Sequence, residues 1–143
     1  MQEFDSKLLV QRISEGMLPA HELLGIELVE IQDEFVSFRL PFREAIIGNI
    51  VHKRVHGGII AAVMDAVGGA VAILNFKSFE DQCSTINMQV NYLRPTNQEE
   101  LIFEGKNIKN GSRVVFTEMI AYHPSEPDII IATSTAAYSF KAK

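Results

Sequence analysis

Between Val55 and Phe76 the chain carries one acid, Asp65, and no lysine or arginine. Ile60, Val63, Met64, Val67, Val71 and Leu74 recur there at three- and four-residue steps, which predicts a helix. Its other face holds Ala61, Ala62, Gly68, Gly69 and Ala72 in place of charges. A helix with no polar side has to be enclosed by the rest of the fold. Gly57-Gly58 opens it, exposing bare backbone N–H groups where the macrodipole is positive. A membrane span is disfavoured, because Asp65 at a bilayer centre would cost roughly 2.5–3.5 kcal/mol.

The flanking segments supply the wrapping. Phe4, Leu8, Leu9, Ile13 and Met17 share one stripe, so residues 4–16 are expected to form a short amphipathic helix, ended by Gly16 and Pro19. Residues 19–24 can add a turn before Gly25. Residues 26–31 and 35–40 read as two strands, and 41–54 as an irregular loop holding Asn49 and His52. Four strands are expected after the helix, at 84–93, 101–108, 113–123 and 129–140, with a two-residue hairpin turn at Asn110-Gly111. In the first of these, Ile86, Met88, Val90 and Tyr92 should share one face, and Thr85, Asn87, Gln89 and Asn91 the other. The expected architecture is α+β: about six antiparallel strands wrapped around one long helix, with a short N-terminal helix.

With 143 residues, the chain 1–143 suits a single domain. A net charge of −5 argues against nucleic-acid partners, which need a basic face. The first residues lack a signal-peptide pattern, and the single cysteine, Cys83, excludes an internal disulfide. A cytoplasmic location with no membrane partner is the expectation.

Spacing limits the chemistry. His56 and Asp65 are nine residues apart, ~13.5 Å along a helix, and Gly57 is nearly as far from the acid. A carboxylate and an oxyanion-binding N–H must both come within ~3 Å of one reacting carbon. If both groups act, Asp65 of one subunit must face Gly57 of another. An obligate homodimer, alone or doubled into a tetramer, with two equivalent interfacial sites is therefore expected.

His56-Gly57-Gly58 with Asp65 nine residues after the histidine resembles the hotdog-fold acyl-CoA thioesterases, in the branch that includes phenylacetate-pathway thioesterases. The likeness covers nearly the whole chain, including the strand ending Tyr92-Leu93-Arg94-Pro95. It implies acyl-CoA as substrate, hydrolysed to free acid and CoA with no metal or other cofactor. Asp65 would be general base or nucleophile, and the Gly57 N–H would polarise the thioester carbonyl. His56 would flank that carbonyl, and Thr85 would hydrogen-bond the attacking water or the acid. Asn49 is the candidate for the asparagine that completes such sites. It lies seven residues before His56, where six is the commonest spacing, and no proline follows it.

Gly58 and Arg94 are candidate substrate-binding residues, Arg94 together with Arg54, Lys109 and Arg113 for the coenzyme A phosphates. His52 and His56 are four apart, but no Glu or Cys nearby would complete a zinc shell. Two rivals stand beside the thioesterase: a hydroxyacyl dehydratase on the same fold, which the Gly-Gly after His56 disfavours, and a non-catalytic acyl-CoA-binding protein.

Overall fold

A computed structural model describes residues 3–142. Its centre is α3, Gly57–Ile73, on which Val63, Met64, Val67, Val71 and Ala72 are wholly removed from solvent. These side chains meet the inner rows of one six-stranded sheet, including Phe38, Phe103 and Met119. Full burial of each valine, methionine or phenylalanine among them stabilises the fold by about 1.5–3 kcal/mol relative to exposure. The strands are β1 (Glu27–Ile31), β2 (Phe35–Leu40), β5 (Gln82–Tyr92), β6 (Leu101–Asn110), β7 (Val114–Tyr122) and β8 (Ile130–Lys141). Their order is β1-β2-β6-β7-β8-β5, antiparallel throughout. This is the expected α+β wrapping, and β5 ends the sheet.

The N-terminal helix is shorter than its apolar stripe. Asp5 caps α1 (Ser6–Arg12), its Oδ1 accepting from the Lys7 and Leu8 N–H groups at 2.9 and 3.3 Å. A wider π turn follows at Ile13–Met17, because Gly16 takes a φ of 116° that a regular helix cannot hold. A second helix, α2 (Pro19–Leu24), starts on its proline and stops at Gly25. The Ser6 hydroxyl donates to the Leu74 carbonyl at 2.9 Å, pinning α1 to the far end of α3.

Residues 41–54 are more ordered than expected. A 3-10 turn at Glu44–Ile46 leads into a small hairpin of β3 (Ile47–Asn49) and β4 (Arg54–Val55). Gly48 allows it: a Cβ there would lie 2.6 Å from the His56 Cα. The β6–β7 reversal also differs. Asn110 stays in the ladder opposite Val115, the Gly111 N–H bonds the Val114 carbonyl at 2.8 Å, and the chain turns at Ser112 and Arg113. The Arg113 carbonyl is held from β8 by the Phe140 N–H at 2.7 Å.

The most consequential difference is in β5. Thr85 pairs with Tyr138 and Asn87 with Ala137, so Ile86 is an extra, bulged residue. The bulge puts Ile86 outward, 54% exposed, and breaks the simple alternation. Thr85 therefore faces α3, as Met88 and Tyr92 do further along the strand, and is not part of a polar row with Asn87, Gln89 and Asn91.

Candidate active site

Asp65 sits half-buried near the middle of α3, and β5 and β8 hold it from the sheet side. The Thr85 hydroxyl donates to Asp65 Oδ1 at 2.9 Å, and the Tyr138 hydroxyl reaches the same oxygen at 2.9 Å. Tyr138 also lies 3.0 Å from the Asp65 carbonyl, but its single proton favours the charged oxygen. Oδ2 has no hydrogen-bond partner among the described residues. Thr85 and Tyr138 are directly opposite one another across the β5–β8 ladder, which is why their hydroxyls converge. Burial, and then the Asp65 charge, push the Tyr138 phenol far above its usual pKa, so it remains a donor.

The helix mouth is built separately. His56 caps α3, with Nδ1 accepting from the Gly58 N–H at 2.8 Å. A neutral ring in this arrangement carries its proton on Nε2. The Gly58 donor is thereby occupied. The Gly57 N–H, one residue earlier, makes no hydrogen bond among the described residues. The Tyr92 hydroxyl donates to the Gly57 carbonyl at 2.6 Å, and its ring lies 3.4 Å from where a Gly57 Cβ would stand. Gly57 thus presents a fixed, unused donor at the positive end of a seventeen-residue helix.

Asp65 and Thr85 form part of the wall of a cavity of about 460 Å³ between α3 and the N-terminal helices. The rest of its lining is mostly apolar: Val10, Ile13, Leu18 and Leu24 on one side, Ala62, Ala66, Gly69 and Ile73 on the other. A smaller cleft of about 290 Å³ runs past Gly57 and Tyr92 between Arg54 and Arg94. Arg94 donates to the Ile130 carbonyl at 2.6 Å and Arg54 to the Thr96 carbonyl at 2.5 Å, so both are anchored beside the helix mouth.

Within one chain the expected site residues fall into two groups. Asp65 and Thr85 stand together; Gly57, Gly58, His56 and Arg94 lie at the mouth, about 12 Å up the helix from Asp65 to Gly57. Asn49 is exposed at the end of β3, its Oδ1 accepting from the His52 N–H at 3.0 Å, and in the single chain it shapes that turn. Among the described residues no three His, Cys, Asp or Glu side chains cluster as metal ligands. Cys83 lines the cavity; burial and the Asp65 charge push its thiol pKa up, away from reactivity.

Tyr138 is the site residue that periodicity did not mark. The signal lay in Gly68-Gly69, a glycine pair inside a long helix that costs roughly 1 kcal/mol per residue relative to alanine unless something packs close. What packs there is Tyr138, 2% exposed, whose hydroxyl occupies the notch left at Gly68.

The family model described as "Thioesterase superfamily" matches residues 52–129, more than half of the chain. The medium/long-chain acyl-CoA thioesterase YigI of Escherichia coli (strain K12) is 26% identical over 133 residues, covering 85% of this chain and 84% of that protein. Among solved structures, a thioesterase family protein from Silicibacter pomeroyi superposes with a TM-score of 0.83 at 24% identity, covering 95% of this chain and 98% of that one. A phenylacetic acid degradation-related protein from Ralstonia eutropha JMP134 does so with a TM-score of 0.79 at 20% identity, covering 91% and 98%.

Proposed function

Since the chain belongs to the thioesterase superfamily and has the hotdog fold, we propose that it hydrolyses acyl-CoA thioesters to a free carboxylic acid and CoA. The observation that carries this reading is the Asp65 carboxylate, held on Oδ1 by two hydroxyls in the wall of an apolar cavity. A carboxylate so placed can take a proton from water as that water attacks a thioester carbonyl. The new C–O bond pushes the carbonyl electrons onto oxygen, where an N–H at a helix mouth stabilises them. Collapse of the tetrahedral species breaks the C–S bond, and the departing thiolate takes the proton back from Asp65. The acyl tail occupies the cavity under α1 and α2, and the coenzyme A phosphates lie toward Arg54 and Arg94. No metal or second cofactor takes part, and the cytoplasm, where acyl-CoA is made and used, is the setting.

The working unit in this proposal is a homodimer, alone or doubled into a tetramer. β5 ends the sheet with its outer edge unpaired, and Ile86, Tyr92 and Leu93 are exposed along it. A second copy pairing antiparallel along that edge, about a two-fold axis at Gln89, sets Thr85 of one chain against Tyr92 of the other, because the bulged Ile86 takes no place in the register. Thr85 holds Asp65 and Tyr92 holds Gly57. One register thus brings the acid of each copy to the free N–H of its neighbour, giving two equivalent sites. The β3–β4 hairpin, with Asn49 at its end, travels with the helix mouth.

Thiol release measured across a panel of acyl-CoA substrates tests the reading, with Asp65→Asn alongside. Release by the wild type that the substitution reduces by about 10²–10⁴-fold is expected. Acyl-CoA uptake without turnover would make the chain a binding protein instead, and enoyl product from a hydroxyacyl substrate would make it a dehydratase.

A further inference from the structure

We infer that Tyr138 is a positioning residue that, with Thr85, fixes which Asp65 oxygen reacts. This rests on the thioesterase reading above. Both hydroxyls converge on Oδ1, each at 2.9 Å, and Oδ2 is left without a partner among the described residues. An oxygen that already accepts two charge-assisted hydrogen bonds is the poorer base, so water is activated at Oδ2. Two donors on one oxygen also stop the carboxylate from rotating, because a turn about its terminal torsion would break both bonds.

The surroundings are shaped for this contact. A Cβ on Gly68 would collide with Tyr138 Oη and approach Met119 Cε at 3.0 Å and Thr117 Oγ1 at 3.1 Å. Gly68 therefore lies three residues after Asp65 as a notch sized for the phenol. Tyr138 lies across the β5–β8 ladder from Thr85, and the bulge at Ile86 begins immediately after Thr85. Sheet register, bulge and helix notch all serve the same oxygen. A tyrosine kept only for packing would need the ring there, with no reason to aim its hydroxyl at a carboxylate.

Tyr138→Phe removes only the phenol oxygen, and Gly68→Ala displaces it while leaving it in the chain. Each variant is expected to lower kcat by roughly ten- to a hundredfold, the weight of one hydrogen bond to a charged group, with KM little changed. The acidic limb of the kcat profile should move to higher pH in both. Combining the two should cost no more than Tyr138→Phe alone, because they break the same contact. Tyr138→Phe retaining the wild-type kcat and acidic limb, whatever its melting temperature, would overturn the inference while leaving the thioesterase reading intact. A wild-type chain that releases no thiol from any acyl-CoA would overturn both.

Discussion

Gly57 and Asp65 are the first and ninth residues of one unbroken helix, and each is finished by a different part of β5. Tyr92 holds the Gly57 carbonyl and Thr85 holds the Asp65 carboxylate. About 12 Å of helix separates them, several times the reach of a single reacting centre. One strand thus carries both halves of the proposed site, which a single chain would leave open.

Gly57→Pro isolates the proposed oxyanion donor. Proline suits the first position of a helix, and His56, with φ −61° and ψ 130°, already has the backbone that precedes proline. The substitution removes the N–H and leaves α3 intact. kcat should fall by about 10²–10³-fold with the melting temperature nearly unchanged. Gly57→Ala keeps the N–H and places a Cβ at ordinary contact distance from Tyr92, so it should retain most activity.

Thr85→Ser and Thr85→Val separate the hydroxyl from the side-chain shape. The serine variant keeps a donor for Asp65 Oδ1 and should stay within a few-fold of wild type. The valine variant loses it and should drop kcat by roughly ten- to a hundredfold. Steady-state kinetics on one acyl-CoA compares them.

Gly69→Leu tests the acyl cavity. Gly69 lines it, and a Cβ there meets only Tyr138 Cε1 at 3.8 Å, so a larger side chain has room to enter. Filling that space should raise KM for the longest acyl chains and spare the shortest, shifting the chain-length profile downward. A uniform loss across lengths would place the tail elsewhere.

His21 gives the fold a pH dependence of its own. Burial in the cavity wall lowers its pKa below the usual 6.5, and Nδ1 has no hydrogen-bond partner among the described residues. The folded state therefore keeps the ring neutral while the unfolded chain takes up the proton first. Its contribution to stability is complete above about pH 6.5 and is lost as pH falls toward the lower folded value. Urea midpoints should drop between about pH 7.5 and 5.5, and His21→Leu should lessen that drop.

Much of this was legible in the sequence because it follows from periodicity. The apolar run around Asp65 has no polar face, so its burial under a sheet was forced. Thr85 is different. Strict alternation with Ile86 predicts a face shared with Asn87, Gln89 and Asn91; only the bulge, set by pairing with β8, turns it inward. Tyr138 was hidden for the same reason, since a tyrosine in a strand rich in β-branched and aromatic residues looks like packing until its opposite number is known. The Gly68 notch is the one local sign of it. The π turn at Ile13–Met17 escaped because a hydrophobic stripe continues across it unchanged.

Mixing two disabled variants tests the shared site most directly. Asp65→Asn and Gly57→Pro are each expected to be nearly inactive alone. Co-refolded in equal amounts, half of the dimers pair one of each, and every such dimer holds one site with both groups intact. Activity should recover to about a quarter of the wild-type level. A mixture shown to exchange subunits that stays as inactive as its components would contradict a site shared between two copies.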